Sequence, residues 1–231
     1  IVVIPLSAWL ERLLGLRTLL IIAVTAFTGF SVLCGIATDL TTMIIGRTGQ
    51  GFMGGVLIPT AMTIVAKRLP PHQQPIGMAL FGMTVVLGPV MGPLIGGWLT
   101  ENLSWHYAFF VNVPVCAGLL LLLFIGLPHE KPNWDYLTQA DWAGIAGLIL
   151  GLGGLTVVLE EGHREEWFDS SFIRWLSLIT AAGFASLIYG QLYAAKPVLK
   201  LRLLLSRQFG SVAIMALALG MVMYGSTYVI P

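Results

Sequence analysis

Charged side chains are scarce in this chain: they make up 10% of its 231 residues, against about a quarter in a water-soluble domain. The polar surface needed to face water is missing, so the surrounding medium is lipid. An excess of one charge sign is missing too. Twelve Lys and Arg stand against eleven Asp and Glu, a net charge of +1, which argues against a nucleic-acid partner because phosphate binding needs a dense basic face. Cysteine is limited to Cys34 and Cys116, both inside apolar runs. Neither has metal-ligand spacing or a disulfide-rich context, and both read as small buried residues. The four histidines, His72, His106, His129 and His163, all lie in polar breaks. None is placed as a proton relay at membrane depth, and no metal spacing appears. Strict apolar/polar alternation is absent as well, which disfavours a transmembrane β-barrel.

What is present is apolar sequence, 57% of the chain with a mean hydropathy of +0.87. It falls into runs long enough to span a bilayer, which takes roughly 20 helical residues. A partial run ends near Leu10. Then come Thr18–Ala37, Thr41–Ala66, Ile76–Leu99, Tyr107–Leu127, Asp141–Leu159, Phe172–Ala194 and Phe209–Pro231. Backbone groups in lipid must be satisfied within their own segment, so these are helices. The first ten residues have no basic n-region or small-residue cleavage site and do not read as a signal peptide. There is no initiator methionine, and both ends fall inside apolar runs. The expectation is therefore a fragment of a longer chain.

The breaks between runs carry an orientation signal. Odd breaks hold Arg12 and Arg17, then Lys67 and Arg68, then Lys131, then Lys196, Lys200, Arg202 and Arg207. Even breaks hold only Arg164 and Arg174, in a loop with five acidic residues. The odd breaks are thus expected on the cytoplasmic side. The connections are short, so consecutive helices should pack as antiparallel neighbours. Residues 128–140, polar and proline-containing, are the expected linker between a front bundle and the later helices.

Within the spans, Arg47 is the most informative residue. It lies about two turns into its helix near the outer side, where an arginine costs several kcal/mol, on the order of 3 or more, unless paired or hydrated. It either snorkels to the outer interface or faces a cavity, where it binds substrate or tunes a carboxylate. No span offers an acidic partner at mid-membrane. Gln50 comes one turn later on the same face, suited to an interhelical hydrogen bond or to a ligand contact. The run Gly49-Gln50-Gly51-Phe52-Met53-Gly54 fits a dinucleotide GxGxxG, but that pattern needs a strand before it and a helix opening at it. Inside a spanning helix it reads as small residues that admit a neighbouring backbone. Gly88, Gly92 and Gly96 repeat every four residues, with Pro89, Pro93 and Gly97 among them. That makes a flat, kinked face, either for close packing or as a pivot between bundles. Asn102-Leu103-Ser104 matches a glycosylation acceptor in a loop too short to make it credible. Asp141 opens a helix and is suited to cap it.

Arg47-Thr48-Gly49-Gln50-Gly51, together with Pro59 further on, resembles the R-x-x-Q-G…P motif on the fourth helix of major facilitator superfamily transporters. Gly88-Pro89 through Gly96-Gly97 resembles the antiporter motif on their fifth helix. The sequel Trp98…Ser104-Trp105-His106-Tyr107-Ala108-Phe109-Phe110-Val111-Asn112-Val113-Pro114 is similar to the W-x-x-x-F-x-I-N-V-P signature of the 14-helix drug:proton antiporter family. Ile58-Pro59, Leu69-Pro70-Pro71 and Met83-Thr84-Val85 bring it to the EmrB branch of the EmrB/QacA type. One departure stands out. The loop after helix 2 normally reads G-x-L-A-D-R-x-G-R-R, whereas here only Leu10, Gly15 and Arg17 hold and Arg12 stands at the Asp position.

The resemblance implies an all-α membrane protein with a partial major facilitator fold, from the end of helix 2 to helix 9 of 14. Residues 1–127 would be the N-terminal bundle without helix 1 and 128–140 the linker. Residues 141–194 would be an inserted helix pair, 195–208 a cytoplasmic loop, and 209–231 the first helix of the second bundle. It further implies a multi-pass inner-membrane exporter of amphipathic toxic compounds, and hence antibiotic resistance. Such a protein is no enzyme, uses no cofactor, and draws on the proton gradient. Arg47 takes part in proton coupling with Gln50 beside it, and the Gly88–Gly97 face is the pivot. Expected partners are small amphipathic substrates, protons, the lipid bilayer, and a periplasmic adaptor with an outer-membrane channel. A rival from another class is a non-transporting receptor or sensor on the same scaffold. A membrane enzyme would need clustered His or acidic residues at membrane depth, and a fragment alone would be inactive.

Overall fold

The computed structural model describes residues 2–138, 140–194, 197–199 and 206–229, with side chains omitted at 208 and 223–229. Its elements, in chain order, are helices α1 (Val3–Leu14), α2 (Leu16–Gly35), α3 (Leu40–Arg68), α4 (Gln74–Asn102), α5 (Tyr107–Phe110), α6 (Asn112–Gly126), α7 (Asp135–Thr138), α8 (Trp142–Glu161), α9 (Ser171–Tyr193) and α10 (Arg207–Val229). A 3₁₀ turn, Trp167–Asp169, lies before α9. Among the described residues there are no strands. Six segments among the described residues are long and apolar enough to cross a membrane: α2, α3, α4, α5 with α6 taken together, α8 and α9. The residues Lys196, Lys200 and Arg202 of the expected 195–208 loop lie outside the described residues, as do the last two residues of the expected final helix.

The chain divides into two compact units, Ile1–Thr138 and Gln139–Pro231. In the first, α2 is the central helix. Leu16, Leu20 and Val24 pack with Cys116 and Leu123 of α6. Leu19 and Ala23 on another side pack with Val3 of α1 and Val56 of α3. Both expected cysteine environments are found, since Cys34 and Cys116 are buried and free. Gly49 lies in mid-helix against the Phe30 ring, where an added Cβ would come within 2.5 Å of ring carbon. The GxGxxG run lies wholly within α3 and is not a strand-to-helix turn; Gly49 is a packing position, while a Cβ on Gly51 would meet nothing within 4 Å among the described residues. Helix α3 opens on Asp39, whose carboxylate accepts the Thr42 amide at 2.8 Å and the Thr42 hydroxyl at 2.6 Å. Those two bonds, the hydroxyl first, hold the Asp39 carboxyl below its ordinary range.

Two boundaries differ from the sequence reading. The first helix runs on to Leu14 rather than ending near Leu10, because Leu13 continues its buried side and no breaker occurs before Gly15. Gly15 has φ +79°, a conformation that L side chains rarely adopt, and an added Cβ would come within 2.8 Å of Glu130 Cβ. The residues resembling the loop after helix 2 are thus mostly helical, with Gly15 alone as the joint. The span expected as Tyr107–Leu127 is interrupted at Val111. Pro114 has no amide to return to the Phe110 carbonyl, and the Phe109 carbonyl accepts instead from the Ser31 hydroxyl at 3.0 Å.

Residues 128–138 fold back on the end of the first unit where α1 meets α2. The Asn133 amide donates to the Leu13 carbonyl at 2.8 Å, and Glu130 accepts from the Leu16 amide at 2.8 Å. In the second unit α8 and α9 pack backbone to backbone. A Cβ on Gly147 would overlap the Leu187 nitrogen and the Gly183 carbonyl, and one on Gly183 would overlap the Gly151 nitrogen. Small residues at this contact let dispersion and backbone dipoles act at short range, which is how helices associate when lipid removes the hydrophobic drive. Asp141 caps α8 as its position suggests, accepting the Gly144 amide at 2.7 Å.

Candidate functional site

Four polar side chains from three helices meet in the first unit: Ser31 and Gln50 are buried, Asn112 is half-buried and Arg47 is exposed. Arg47 stands at the eighth residue of α3, about 10 Å in at 1.5 Å per residue. Its guanidinium donates to Gln50 Oε1 at 2.9 Å, one turn further along the helix. Its Cζ lies 5.6 Å from the centre of the Phe109 ring, within cation–π range. Among the described residues the ion pairs are Lys67–Glu11, Arg68–Glu130 and Arg164–Glu161, and none involves Arg47.

Gln50 is buried, and its amide nitrogen donates to Ser31 Oγ on α2 at 3.1 Å. Asn112, at the start of α6, donates to the same oxygen at 2.8 Å. Ser31 in turn donates to the Phe109 carbonyl. A hydroxyl has one hydrogen to give and two lone pairs to accept with, and at Ser31 all three are used. The chain Arg47–Gln50–Ser31–Asn112 therefore ties α3, α2 and α6 together through one fully committed atom.

These groups border a cavity of about 450 Å³ lined by Phe27, Arg47, Gln50, Gly51, Gly54 and Asn112. The lining combines an aromatic face, two glycines that leave room, two amides and one cation. Arg47 keeps most of its five N–H donors after the bond to Gln50. Such a wall suits a ligand with an apolar body and an acceptor or negative end.

Of the residues expected to matter, Arg47 and Gln50 are brought together directly. Gly88, Pro89, Gly92, Pro93, Gly96 and Gly97 lie on α4 and take no part in this cavity. Among the described residues nothing comes within 4 Å of a Cβ built at Gly88, Gly92, Gly96 or Gly97. Pro89 borders a separate, apolar hollow of about 480 Å³ with Leu57, Ala61, Phe81 and Val85. Sequence reasoning missed Ser31, Phe27 and the side-chain role of Asn112. Asn112 had a signal available, as a hydrogen-bonding amide in an apolar run, where an unpaired polar group is costly; Ser31 had none, since a helical serine can bond a carbonyl of its own preceding turn. Phe27 had none that sets it apart from the other aromatic residues of its helix.

The Major Facilitator Superfamily model matches residues 1–231. Over 231 residues the chain is 33% identical to the colistin resistance protein EmrB of Acinetobacter baumannii, covering 100% of this chain and 45% of that protein. It is 32% identical over 229 residues to the multidrug export protein EmrB of Haemophilus influenzae, covering 99% of this chain and 44% of the other. It is also 32% identical over 224 residues to the fatty acid resistance protein FarB of Neisseria gonorrhoeae, covering 97% and 44%. The chain thus spans less than half the length of these curated relatives. With six segments of spanning length among its described residues and a family match from its first residue to its last, it is a multi-pass inner-membrane protein and belongs to the Major Facilitator Superfamily.

Proposed function

We propose that the protein to which this sequence belongs is a secondary exporter of amphipathic toxic compounds, driven by the proton gradient without a cofactor. The observation that carries this reading is the cavity beside Arg47, Gln50 and Asn112, set within a bundle of spanning helices. The functions named for the relatives, multidrug export and colistin or fatty acid resistance, support the same class.

In this reading residues 1–127 belong to the first bundle, 128–140 to the linker, 141–194 to the inserted pair, and 209–231 to the second bundle. The two bundles rock about a mid-membrane site, with the exposed Gly88–Gly97 face of α4 as the pivot. Arg47 couples proton movement to that motion, with Gln50 holding its guanidinium. A periplasmic adaptor and an outer-membrane channel receive the substrate.

The test is flux. The full-length protein, reconstituted in liposomes with an imposed pH gradient, should move a fluorescent amphipathic compound. The Arg47→Ala variant should fold and fail to do so. Binding without gradient-dependent flux in the wild type would instead establish a receptor or sensor.

A further inference from the structure

A second, unrelated concentration of charge lies at the opposite end of the first unit from Asp39. Arg12 is in the last turn of α1, Lys67 and Arg68 end α3, and Glu130 and Lys131 come after α6. With Glu11 they line a cavity of about 390 Å³. Four cations face two carboxylates there, so two positive charges are left over.

The carboxylates are already engaged. Glu11 Oε1 lies 2.7 Å from Lys67 Nζ. Glu130 pairs with Arg68 through Oε1 and accepts the Leu16 amide at 2.8 Å through Oε2. Arg12 and Lys131 are exposed and, among the described residues, neither side chain has an ion-pair or hydrogen-bond partner. The unmatched charge therefore belongs to these two side chains at the cavity mouth.

The position of the cavity says what fits. It sits where the spanning helix α2 begins and the spanning helix α3 ends, which is the boundary of the hydrocarbon layer. This end of the unit carries Arg12, Arg17, Lys67, Arg68 and Lys131, while the connections at the other end, 36–39 and 103–106, contain no Lys or Arg. The positive-inside bias places it at the cytoplasmic leaflet, the one that carries the acidic lipids attracted by such clusters. Beside the cavity, Arg17 donates to the Phe124 carbonyl at 3.1 Å and covers the Phe124 ring at 5.6 Å. Phe124 and Ile125 are exposed at 53% and 77%, an apolar flank beside a cationic mouth.

We propose that this cavity holds the phosphate of an acidic phospholipid headgroup from the cytoplasmic leaflet. Arg12 and Lys131 provide the neutralising charge, and the α6 end lies along the acyl chain. The Lys67–Glu11 and Arg68–Glu130 pairs form the walls and fix the three chain segments that shape the site. This inference does not depend on what the protein transports.

Native mass spectrometry of the purified full-length protein tests it, with phosphatidylglycerol and phosphatidylcholine of identical acyl chains added in turn. The wild type should retain phosphatidylglycerol in preference to phosphatidylcholine. The Arg12→Gln/Lys131→Gln variant should lose about thirtyfold in phosphatidylglycerol retention, as expected for removing two charges near a lipid surface. Phosphatidylcholine retention should be unchanged. Both substituted side chains are exposed, and an unaltered unfolding temperature will show that the fold is kept. Equal retention of both lipids by the wild type, or equal phosphatidylglycerol retention by wild type and variant, overturns the assignment. So does protection of Lys131 from acylation by inorganic phosphate as effective as that by phosphatidylglycerol at matched ionic strength, because the occupant would then be a soluble anion.

Discussion

The amide nitrogen of Gln50 lies 3.1 Å from the hydroxyl of Ser31, a side chain that is wholly buried on the neighbouring helix. Through that contact the orientation of Arg47 is set by a residue on another helix. Gln50 can present Oε1 to Arg47 because its nitrogen end is occupied, and a flipped amide would set its carbonyl oxygen against Ser31. The Ser31 hydrogen is given to the Phe109 carbonyl, so it has none for that oxygen. One hydroxyl thereby fixes which end of the glutamine meets the arginine.

Ser31→Ala should consequently destabilise the protein and alter the cavity together. The substitution strands two amide donors and one carbonyl, and each unmet group costs about 1–3 kcal/mol where water cannot replace the bond. Thermal unfolding of the purified protein should fall by several degrees. Ser31→Ala with an unchanged unfolding temperature would mean that the four-residue network contributes nothing.

Arg47→Lys should fail to replace Arg47 even though the charge is kept. A lysine offers a point charge and three donors, while the guanidinium lies near the Phe109 ring and still reaches Gln50. The geometry of that fork is what a lysine lacks. In the liposome assay the Lys variant should transport far less than wild type, by at least about tenfold if one charge-assisted bond of 1.5–3 kcal/mol is lost. Wild-type rates in Arg47→Lys would leave charge alone as the requirement.

The sequence made some of this legible and not the rest, for physical reasons. Apolar runs of spanning length exposed the helices, because nothing else satisfies backbone groups in lipid. Arg47 and Gln50 stood out for the same reason, as polar groups at depth. Ser31 did not, because a serine in a membrane helix is commonly satisfied by a carbonyl of its own preceding turn, as Thr28 is with Val24. Only the contact across helices distinguishes it. The joint at Gly15 was hidden because Leu13 and Leu14 read as the edge of either helix. The tight contact between α8 and α9 was also passed over, since Gly147, Gly151 and Gly183 form no motif as regular as Gly88, Gly92 and Gly96.

That contrast yields a paired prediction. Gly147→Leu and Gly183→Leu should each prevent α8 and α9 from packing, because the first atoms that the new side chain meets are backbone and cannot move aside. Accumulation of folded protein in the membrane should drop sharply. Gly92→Leu meets nothing within 4 Å among the described residues, so the first unit should tolerate it. If the α4 face is the pivot, that variant will accumulate normally and yet carry no flux. Normal flux in Gly92→Leu removes the pivot from the mechanism.

Asp39 gives the last prediction, with its sign set by the direction of its shift. The Thr42 hydroxyl and amide favour the ionised carboxylate, so its folded pKa lies below the unfolded value, which is about 3.9 for an ordinary aspartate. A depressed carboxylate contributes stability that is fully present above the unfolded pKa and fades as pH falls through the folded one. Asp39→Ala should therefore lower the unfolding temperature at pH 7, where the cap of α3 is charged and doubly bonded. The gap between wild type and variant should narrow steadily as the pH is taken down from about 4. Asp39→Asn still offers the Thr42 amide a carbonyl oxygen, and its difference from Asp39→Ala should not vary with pH. A wild-type advantage over Asp39→Ala that stays constant from pH 7 into strong acid would show that the carboxylate charge plays no part in holding the N-terminal end of the helix that carries Arg47.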